Sequence, residues 1–211
     1  MKFSGLLTAA LAAMLVIMVP AAAIAGAPTD RVRLAADKVI SILKDPALKP
    51  KAKEAERRAK IMKAVRDVFD FEEMAKRSLG QYWRQRSDAE KKEFTDLYAD
   101  LLERSYINRI ESYSDEKIVY SAEKVDGDFA VVPSKFITKR NEEITADYKL
   151  MQKGGTWFVY DMVIENVSLV NNYRIQFNKI IRTSSYEELV RKMKNKRESE
   201  ALAAPGADAG K

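Results

Sequence analysis

The sequence of 211 residues contains no cysteine and no histidine. Without cysteine the chain forms no disulfide bonds, so packing alone has to stabilise its folded state. The two absences together exclude zinc sites of the His–Cys type, Ser-His-Asp triads, Cys-His dyads and His-ligated haem. No P-loop or dinucleotide-binding fingerprint occurs either, so we expect no cofactor. An enzyme built from this chain would have to use carboxylates, lysine, tyrosine or serine.

Long hydrophobic runs are also scarce, and the one that stands out lies at the N-terminus. It covers Leu6–Val19, follows the basic residue Lys2, and is shorter than the roughly 20 apolar residues that span a bilayer. Ala23-Ile24-Ala25 then matches the small-x-small rule for signal cleavage. These features predict a secretory signal peptide over residues 1–25, cleaved after about Ala25. An uncleaved anchor helix is the alternative.

The rest of the chain suits one domain followed by a tail. Removing the signal peptide takes away one basic residue, Lys2, and lowers the formal net charge from +6 to +5. The remaining length fits a single domain, predicted over residues 26–198. Residues 199–211 are rich in Ala and Gly without periodicity, so we predict a disordered tail.

The first half of the chain has the apolar spacing of helices, and the second half has that of strands. Asp70, Ser87 and Ser185 are predicted N-caps, each followed three residues later by glutamate. Pro133 lies inside a predicted strand and indicates an edge position or a bulge. Four strands with tight turns are predicted: Lys117–Val125, Phe129–Lys139, Ile144–Lys153 and Thr156–Glu165.

This order of elements predicts an α+β fold. We expect a curved four-stranded antiparallel sheet, arranged as a meander and packed with helices from both chain ends. Helices on the concave side of such a sheet would enclose a deep apolar pocket, and pockets of this kind bind small or greasy molecules.

The last predicted strand is apolar on both faces. One face carries Trp157, Val159 and Val163, and the other carries Phe158, Tyr160, Met162 and Ile164. A sheet with water on one side would alternate apolar and polar residues. This strand therefore needs apolar material on both sides, supplied by protein or in part by a ligand.

Asp161 interrupts the apolar face of that strand. A carboxylate in such a place is either paired or functional, and Arg174 or a nearby lysine is a suitable partner. We interpret Asp161 as a structural anchor, with a proton-transfer base as the alternative.

No metal site is predicted, although acidic residues cluster at two places. Asp67, Asp70, Glu72 and Glu73 are explained by helix capping and compensation of the helix dipole. The Asp126 turn is no calcium loop, because Ile137 stands at its twelfth position, where a glutamate would be needed.

The sequence is basic, with a pI of about 9.3. Its basic residues interleave with acids, and no aromatic-basic platform appears, so we predict no nucleic-acid binding. Transient contact with an anionic membrane surface fits better, at roughly 1 kcal/mol for each Lys or Arg near it.

Three segments together resemble the MlaC family, also called the toluene-tolerance family. They are FDFEEMAKRSLGQYW from Phe69, EFTDLYADLLERSY from Glu93, and WFVYDMVIENVSLVNNYRIQF from Trp157. The resemblance covers nearly the whole chain after the signal peptide. One departure is Asn166, where the family usually has glycine. Asparagine also tolerates positive φ, so the turn is expected to survive.

The resemblance implies a monomeric, non-enzymatic periplasmic protein that binds phospholipid tails in its apolar pocket. It further implies partners in an inner-membrane ABC transporter complex and an outer-membrane lipoprotein complex. Shuttling lipid between the two membranes would maintain the lipid asymmetry of the outer membrane.

Inward-facing side chains of the sheet and the facing helices are the predicted lipid contacts. They are Leu79, Tyr82, Phe94, Tyr98, Leu101, Val132, Phe136, Tyr148, Tyr160, Met162, Ile164, Val170, Tyr173 and Phe177. Three alternatives stay open: a carrier of another apolar lipid such as a hopanoid, a pocket enzyme using Asp161, and a protein-binding adaptor with a filled core.

Overall fold

The computed structural model describes residues 27–113, 115–195 and Leu202. The predicted signal peptide lies outside the described residues, as does the predicted tail apart from Leu202. That leucine is buried against a cluster of helices.

Six α-helices form within the described residues. They are α1 (Ala27–Lys44), α2 (Glu54–Arg66), α3 (Phe71–Leu79), α4 (Asp88–Glu111), α5 (Leu169–Thr183) and α6 (Tyr186–Lys194). Short 3-10 helices at Pro46–Leu48 and Lys51–Lys53 connect α1 to α2, and another at Gly80–Gln85 follows α3.

The three predicted N-caps are confirmed. Asp70 accepts a hydrogen bond from the backbone N–H of Glu73, and Ser185 accepts one from Glu188. Ser87 and Glu90 form a complete capping box at the start of α4, the longest helix. Because each cap satisfies N–H groups that a helix leaves unpaired, these short polar signals fix where α3, α4 and α6 begin.

The sheet has six strands, so the prediction of four is wrong. The strands are β1 (Lys117–Tyr120), β2 (Lys124–Asp126), β3 (Phe129–Ile137), β4 (Glu143–Lys153), β5 (Thr156–Ile164) and β6 (Val167–Ser168). All pairs are antiparallel, in the order β1-β3-β4-β5-β6, and β2 also pairs with β3.

Pro133 explains why the first predicted strand divides into β1 and β2. Its carbonyl accepts a hydrogen bond of 2.9 Å from the backbone N–H of Ser121, which lies between the two strands. In a β-strand, the carbonyl and the backbone N–H of one residue point toward the same neighbouring strand. Proline has no N–H to donate. The side of Pro133 that lacks an N–H donor therefore faces the segment between β1 and β2, and the hydrogen-bond ladder is interrupted there.

The sixth strand, β6, arises from the turn after β5. Glu165 and Asn166 have φ values of 48° and 65°, which confirms that Asn166 adopts positive φ. The reversal pairs Val167–Ser168 with the end of β5 before α5 begins.

A β-bulge at Tyr160 changes the direction of the side chains along β5. Lys149 pairs with Asp161, but the next residue of β4, Leu150, pairs with Val159. Tyr160 is therefore the extra residue, and strict alternation breaks at this point.

The bulge resolves the two-sided apolar pattern of β5. Trp157 and Val159 belong to the buried cluster on the inner face of the sheet, and Met162 packs against the same cluster. The side chains of Met162 and Ile164, beyond the bulge, share a cavity wall with Val159. Tyr160 lies instead on the outer face. The division of faces predicted by simple alternation is wrong, because it assumes an unbroken register.

Helices α3 to α6 pack together around an aromatic core. Phe94, Tyr98, Tyr173 and Phe177 have no exposed surface. Their rings meet edge to face, with centroids 5.4 Å apart for Tyr98–Tyr173 and 5.7 Å apart for Phe94–Phe177. Such contacts stabilise beyond simple area burial. Helices α1 and α2 and the second half of α4 cover the inner face of the sheet.

A half-buried ion-pair network ties α2 to the end of α4. Glu111, with 13% of its side chain exposed, lies 2.7 Å from both Arg57 and Arg58. Burial alone raises the pKa of Glu111, but hydrogen bonds from Arg58 and Arg57 outweigh it and leave the pKa below its ordinary value.

We predict that Glu111→Gln lowers the free energy of unfolding at pH 7 by about 1–3 kcal/mol, because charged hydrogen bonds are weakened. The lowered pKa means that this stabilisation is present above an unfolded value of about 4.3 and is lost as pH falls through the folded pKa. Urea denaturation should therefore show the gap between wild type and variant closing below pH 4. Glu72→Gln is the control, because Glu72 is exposed and makes no ion pair within the described part of the chain. A gap of constant size at pH 3 would contradict the account.

Candidate functional site

A cavity of about 510 Å³ lies between the inner face of the sheet and helices α1, α2 and α4. Helix α1 lines it with Val32, Ala35, Ala36, Val39, Ile40 and Leu43, and α2 and the α2–α3 segment add Met62, Val65, Val68 and Phe69. The second half of α4 adds Leu102, Tyr106, Ile107 and Ile110, and the segment after α4 adds Tyr113. The sheet adds Ile118, Phe136, Ile144, Ala146, Tyr148, Val159, Met162 and Ile164.

The walls of this cavity are apolar but are not sealed by protein. Ala35, Val39, Ile110, Ile144 and Ile164 are only half-buried. Apolar side chains in a filled core would lose nearly all of their exposure. Because all of them retain partial exposure, the helices and the sheet are not in close contact along this wall of the cavity.

Most polar lining residues come from neighbouring segments near the end of α4, and we take this end of the cavity as its mouth. Arg109 comes from the last turn of α4, Tyr113 and Glu116 from the segment between α4 and β1, and Glu142 from the β3–β4 turn. Glu142 is exposed to solvent. Val32 and Val68, which also line the cavity, are buried. The cavity thus has an apolar interior and a polar opening.

Ionisable groups on the wall are held in their neutral forms more strongly than usual. Burial raises the pKa of the Tyr106 and Tyr148 hydroxyls. Burial also raises the pKa of Glu103, and the nearby Asp100 carboxylate acts in the same direction. Each shift has the sign expected for a charged form placed in a low-dielectric environment.

The structure divides the fourteen predicted contact residues among four places. Four line the cavity: Phe136, Tyr148, Met162 and Ile164. Eight belong to or pack against the helical core: Leu79, Tyr82, Phe94, Tyr98, Leu101, Val170, Tyr173 and Phe177. Val132 is fully buried on the inner face, and Tyr160 is on the outer face. Whether any of them contacts a ligand stays a prediction.

The predicted aromatic contacts on α4 and α5 pack against one another and not against the cavity. Ser78 donates a hydrogen bond of 2.9 Å to the Tyr98 hydroxyl, and Tyr98 packs edge to face on Tyr173 and Phe177. Phe94, Tyr98, Tyr173 and Phe177 have no exposed surface, and none of them lines the cavity.

Sequence reasoning missed the cavity walls supplied by α1 and by the second half of α4. The apolar stripe of α1 is visible in the spacing of Val32, Ala35 and Val39. A stripe of this kind shows which face turns inward, but it does not show whether that face meets protein or empty space.

Asp161 is anchored on the outer side of the sheet, away from the cavity. Its carboxylate accepts hydrogen bonds from the Ser168 hydroxyl at 2.7 Å and the Val170 backbone N–H at 3.1 Å. Lys149 lies 3.3 Å away, so a lysine partner is confirmed. The carboxylate joins β5 to the N-terminus of α5, where negative charge is stabilising. Within residues 27–113 and 115–195 no group of three acidic side chains could hold a metal ion.

Comparison with known proteins decides the family. The profile of the MlaC protein family matches residues 33–195. The chain belongs to the MlaC family.

Individual members resemble the chain at moderate identity. The MlaC binding protein of the intermembrane phospholipid transport system from Haemophilus influenzae is 26% identical over 169 residues, covering 75% of this chain and 77% of that protein. A phospholipid-binding protein from Ralstonia solanacearum, solved in complex with a phospholipid, superposes with a TM-score of 0.73 at 22% identity. That match covers 84% of this chain and 99% of the other, and it shows that this MlaC-family chain has the same fold.

None of the helices between residues 27 and 195 combines the length and hydrophobicity needed to cross a bilayer.

We predict that Asp161→Asn lowers the free energy of unfolding by about 1–3 kcal/mol, because it removes a charged acceptor and the attraction of Lys149. Denaturant titration measures the change. Asp147→Asn is the control, since Asp147 also lies within the sheet but makes no ion pair with any residue that the structure describes. Equal stabilities for the two variants would show that Asp161 is no anchor.

Proposed function

We propose that this MlaC-family protein is a soluble periplasmic carrier that binds phospholipid tails in the cavity and shuttles lipid between the outer and inner membranes. In this role it maintains the lipid asymmetry of the outer membrane. The observation that carries the proposal is the apolar cavity with its polar mouth. The Haemophilus influenzae relative is the binding protein of a phospholipid transport system, and the Ralstonia solanacearum relative was solved in complex with a phospholipid.

The length of the cavity supports an acyl tail as its occupant. Helix α1 lines it from Val32 to Leu43, which is about 17 Å at 1.5 Å per residue. The hydrocarbon core of a bilayer is about 30 Å thick, so a tail in one leaflet extends about 15 Å. A tail could lie along α1 with its end near Val68 and its headgroup at the mouth.

The energetics of tail transfer explain why a carrier needs such a cavity. Two tails hold roughly 30 methylenes, and at about 0.8 kcal/mol each, their exposure to water would cost more than 20 kcal/mol. The cavity volume of about 510 Å³ lies within the roughly 300–1,000 Å³ of ligand pockets. Met62, Met74 and Met162 line it, and methionine adapts to variable apolar shapes.

The placement of Asp161 favours a carrier over a pocket enzyme. Asp161 lies on the outer side of the sheet and is already bonded to Ser168, Val170 and Lys149. It is therefore separated from the cavity by the sheet itself. Catalysis in the cavity would require a base within hydrogen-bonding reach of a bound substrate.

The cavity also favours a carrier over a protein-binding adaptor, for which a filled core is expected. The cavity alone does not decide between a phospholipid and a hopanoid as the bound lipid. We propose phospholipid as the cargo because both relatives carry that word in their names. The partners we propose are an inner-membrane ABC transporter complex and an outer-membrane lipoprotein complex.

The direct experiment is to purify the exported protein without detergent, extract it with organic solvent and identify the extracted molecules by mass spectrometry. We expect diacyl phospholipid at up to one molecule per chain. A polycyclic lipid in its place would change the cargo. No extracted lipid, together with no uptake from vesicles, would overturn the carrier proposal.

We predict that Ala36→Trp reduces the lipid content severalfold, because a large side chain at this wall position occupies the space of a tail. Leu34→Trp is the matched control on the same helix, since Leu34 is 67% exposed. Native mass spectrometry compares the loaded fractions. Equal loading of the two variants would show that tails do not occupy this cavity.

A further inference from the structure

A second concave site lies on the outer side of the sheet. It is a cleft of about 460 Å³ between α3 with its following 3-10 helix, the outer face of β4 and β5, and the first turns of α5. We call it the cationic cleft, because five basic side chains line it: Lys76, Arg77, Arg84, Lys149 and Arg174.

The cationic cleft keeps an excess of positive charge after its internal ion pairs are counted. Glu73 is shared by Lys76 at 3.0 Å and Arg77 at 2.8 Å. Asp161 pairs with Lys149 and is further occupied by its bonds to the start of α5. Two carboxylates thus face five cations, which leaves a formal excess of three positive charges.

Two arginines carry most of the uncompensated charge. Arg84 and Arg174 are exposed, and neither makes an ion pair with another residue in the part of the chain that the structure describes. Both line the cleft. Their guanidinium groups are free to bind an incoming anion.

Other cleft residues are fixed in advance of any binding. The guanidinium of Arg77 stacks over the Tyr160 ring, 4.1 Å from its centroid, and Tyr160 meets Phe129 edge to face. The stem of Arg174 passes close to Gly80, whose φ is 61°. A cationic site with ordered walls loses little conformational entropy when it binds.

The cationic cleft is separate from the mouth of the cavity. Lys149 belongs to the cleft and Glu142 to the mouth, and about seven strand residues at 3.3 Å each place them roughly 20 Å apart along β4. The headgroup of a lipid held in the cavity therefore does not reach the cleft.

We propose that the cationic cleft is a docking site for an acidic segment of a partner protein. Its concave shape does not fit the flat surface of a membrane, and its volume exceeds that of a single ion. Planar guanidinium groups bind carboxylates through two parallel hydrogen bonds, which suits a run of Asp or Glu side chains. This inference goes beyond the proposed function and does not rest on the occupant of the cavity.

A labelled hexaglutamate peptide tests the proposal against the full exported protein. We expect measurable binding by fluorescence anisotropy that weakens as salt rises from 0.05 to 0.5 M, because exposed charges are screened. The double variant R84E/R174E should bind roughly tenfold more weakly or worse, since each change replaces attraction with repulsion.

The control is R140E/R182E, which alters net charge by the same amount at two exposed arginines elsewhere on the surface, neither of which makes an ion pair with another described residue. Equal losses in both double variants would overturn the proposal, because net charge alone would then explain binding. Displacement by low-millimolar inorganic phosphate would overturn it in favour of a small-anion site. Loss of binding to anionic phospholipid vesicles in R84E/R174E, with peptide binding intact, would overturn it in favour of a membrane contact.

Lipid content distinguishes this proposal from the carrier function. R84E/R174E should retain the lipid extracted from wild type while losing the peptide. If both are lost together, the variant is misfolded or the cleft is coupled to the cavity, and the separate docking site proposed here is wrong.

Discussion

The bulge at Tyr160 and the anchoring of Asp161 beside it are the constraint on which the rest of the structure depends. The bulge places Trp157, Val159, Met162 and Ile164 on one side of the sheet, so β5 presents an unbroken apolar surface inward. The same bulge places the Asp161 carboxylate outward, where it caps α5 and attracts Lys149. One register shift thus sets both the cavity wall and the position of the C-terminal helices.

This arrangement gives the two faces of the sheet different chemistry. The inner face meets α1, α2 and α4 across an apolar gap, and the outer face near the bulge carries cations and aromatic rings. The close-packed aromatic residues of α4 and α5 belong to the largest buried cluster of the described residues. Met62, Phe71, Met74, Leu102 and Leu169 of that cluster also line the cavity, so the helical core and the cavity share a wall.

Local signals in the sequence predicted much of this fold, and long-range packing was beyond them. Ser87 and Glu90 specify the start of α4 because both partners of the capping box lie within three residues. Pro133 marked a disturbed strand but not the break opposite it, which depends on a neighbour twelve residues away. Tyr98 and Ile110 have the same inward spacing on α4, yet one fills a core and the other lines a cavity. That difference depends on the distance between α1 and the sheet, which the spacing of apolar residues along the sequence does not predict.

Photo-crosslinking with a phospholipid that carries a diazirine at the end of one tail tests the central claim most directly. After irradiation of the loaded protein, mass spectrometry of the digested chain locates the labelled residues. Our account predicts labels at the buried part of the cavity, near Val32, Val68 and Phe71. A diazirine near the headgroup should instead label Ile110 and Tyr113. Labels on the outer face, around Phe129 and Tyr160, would contradict the account.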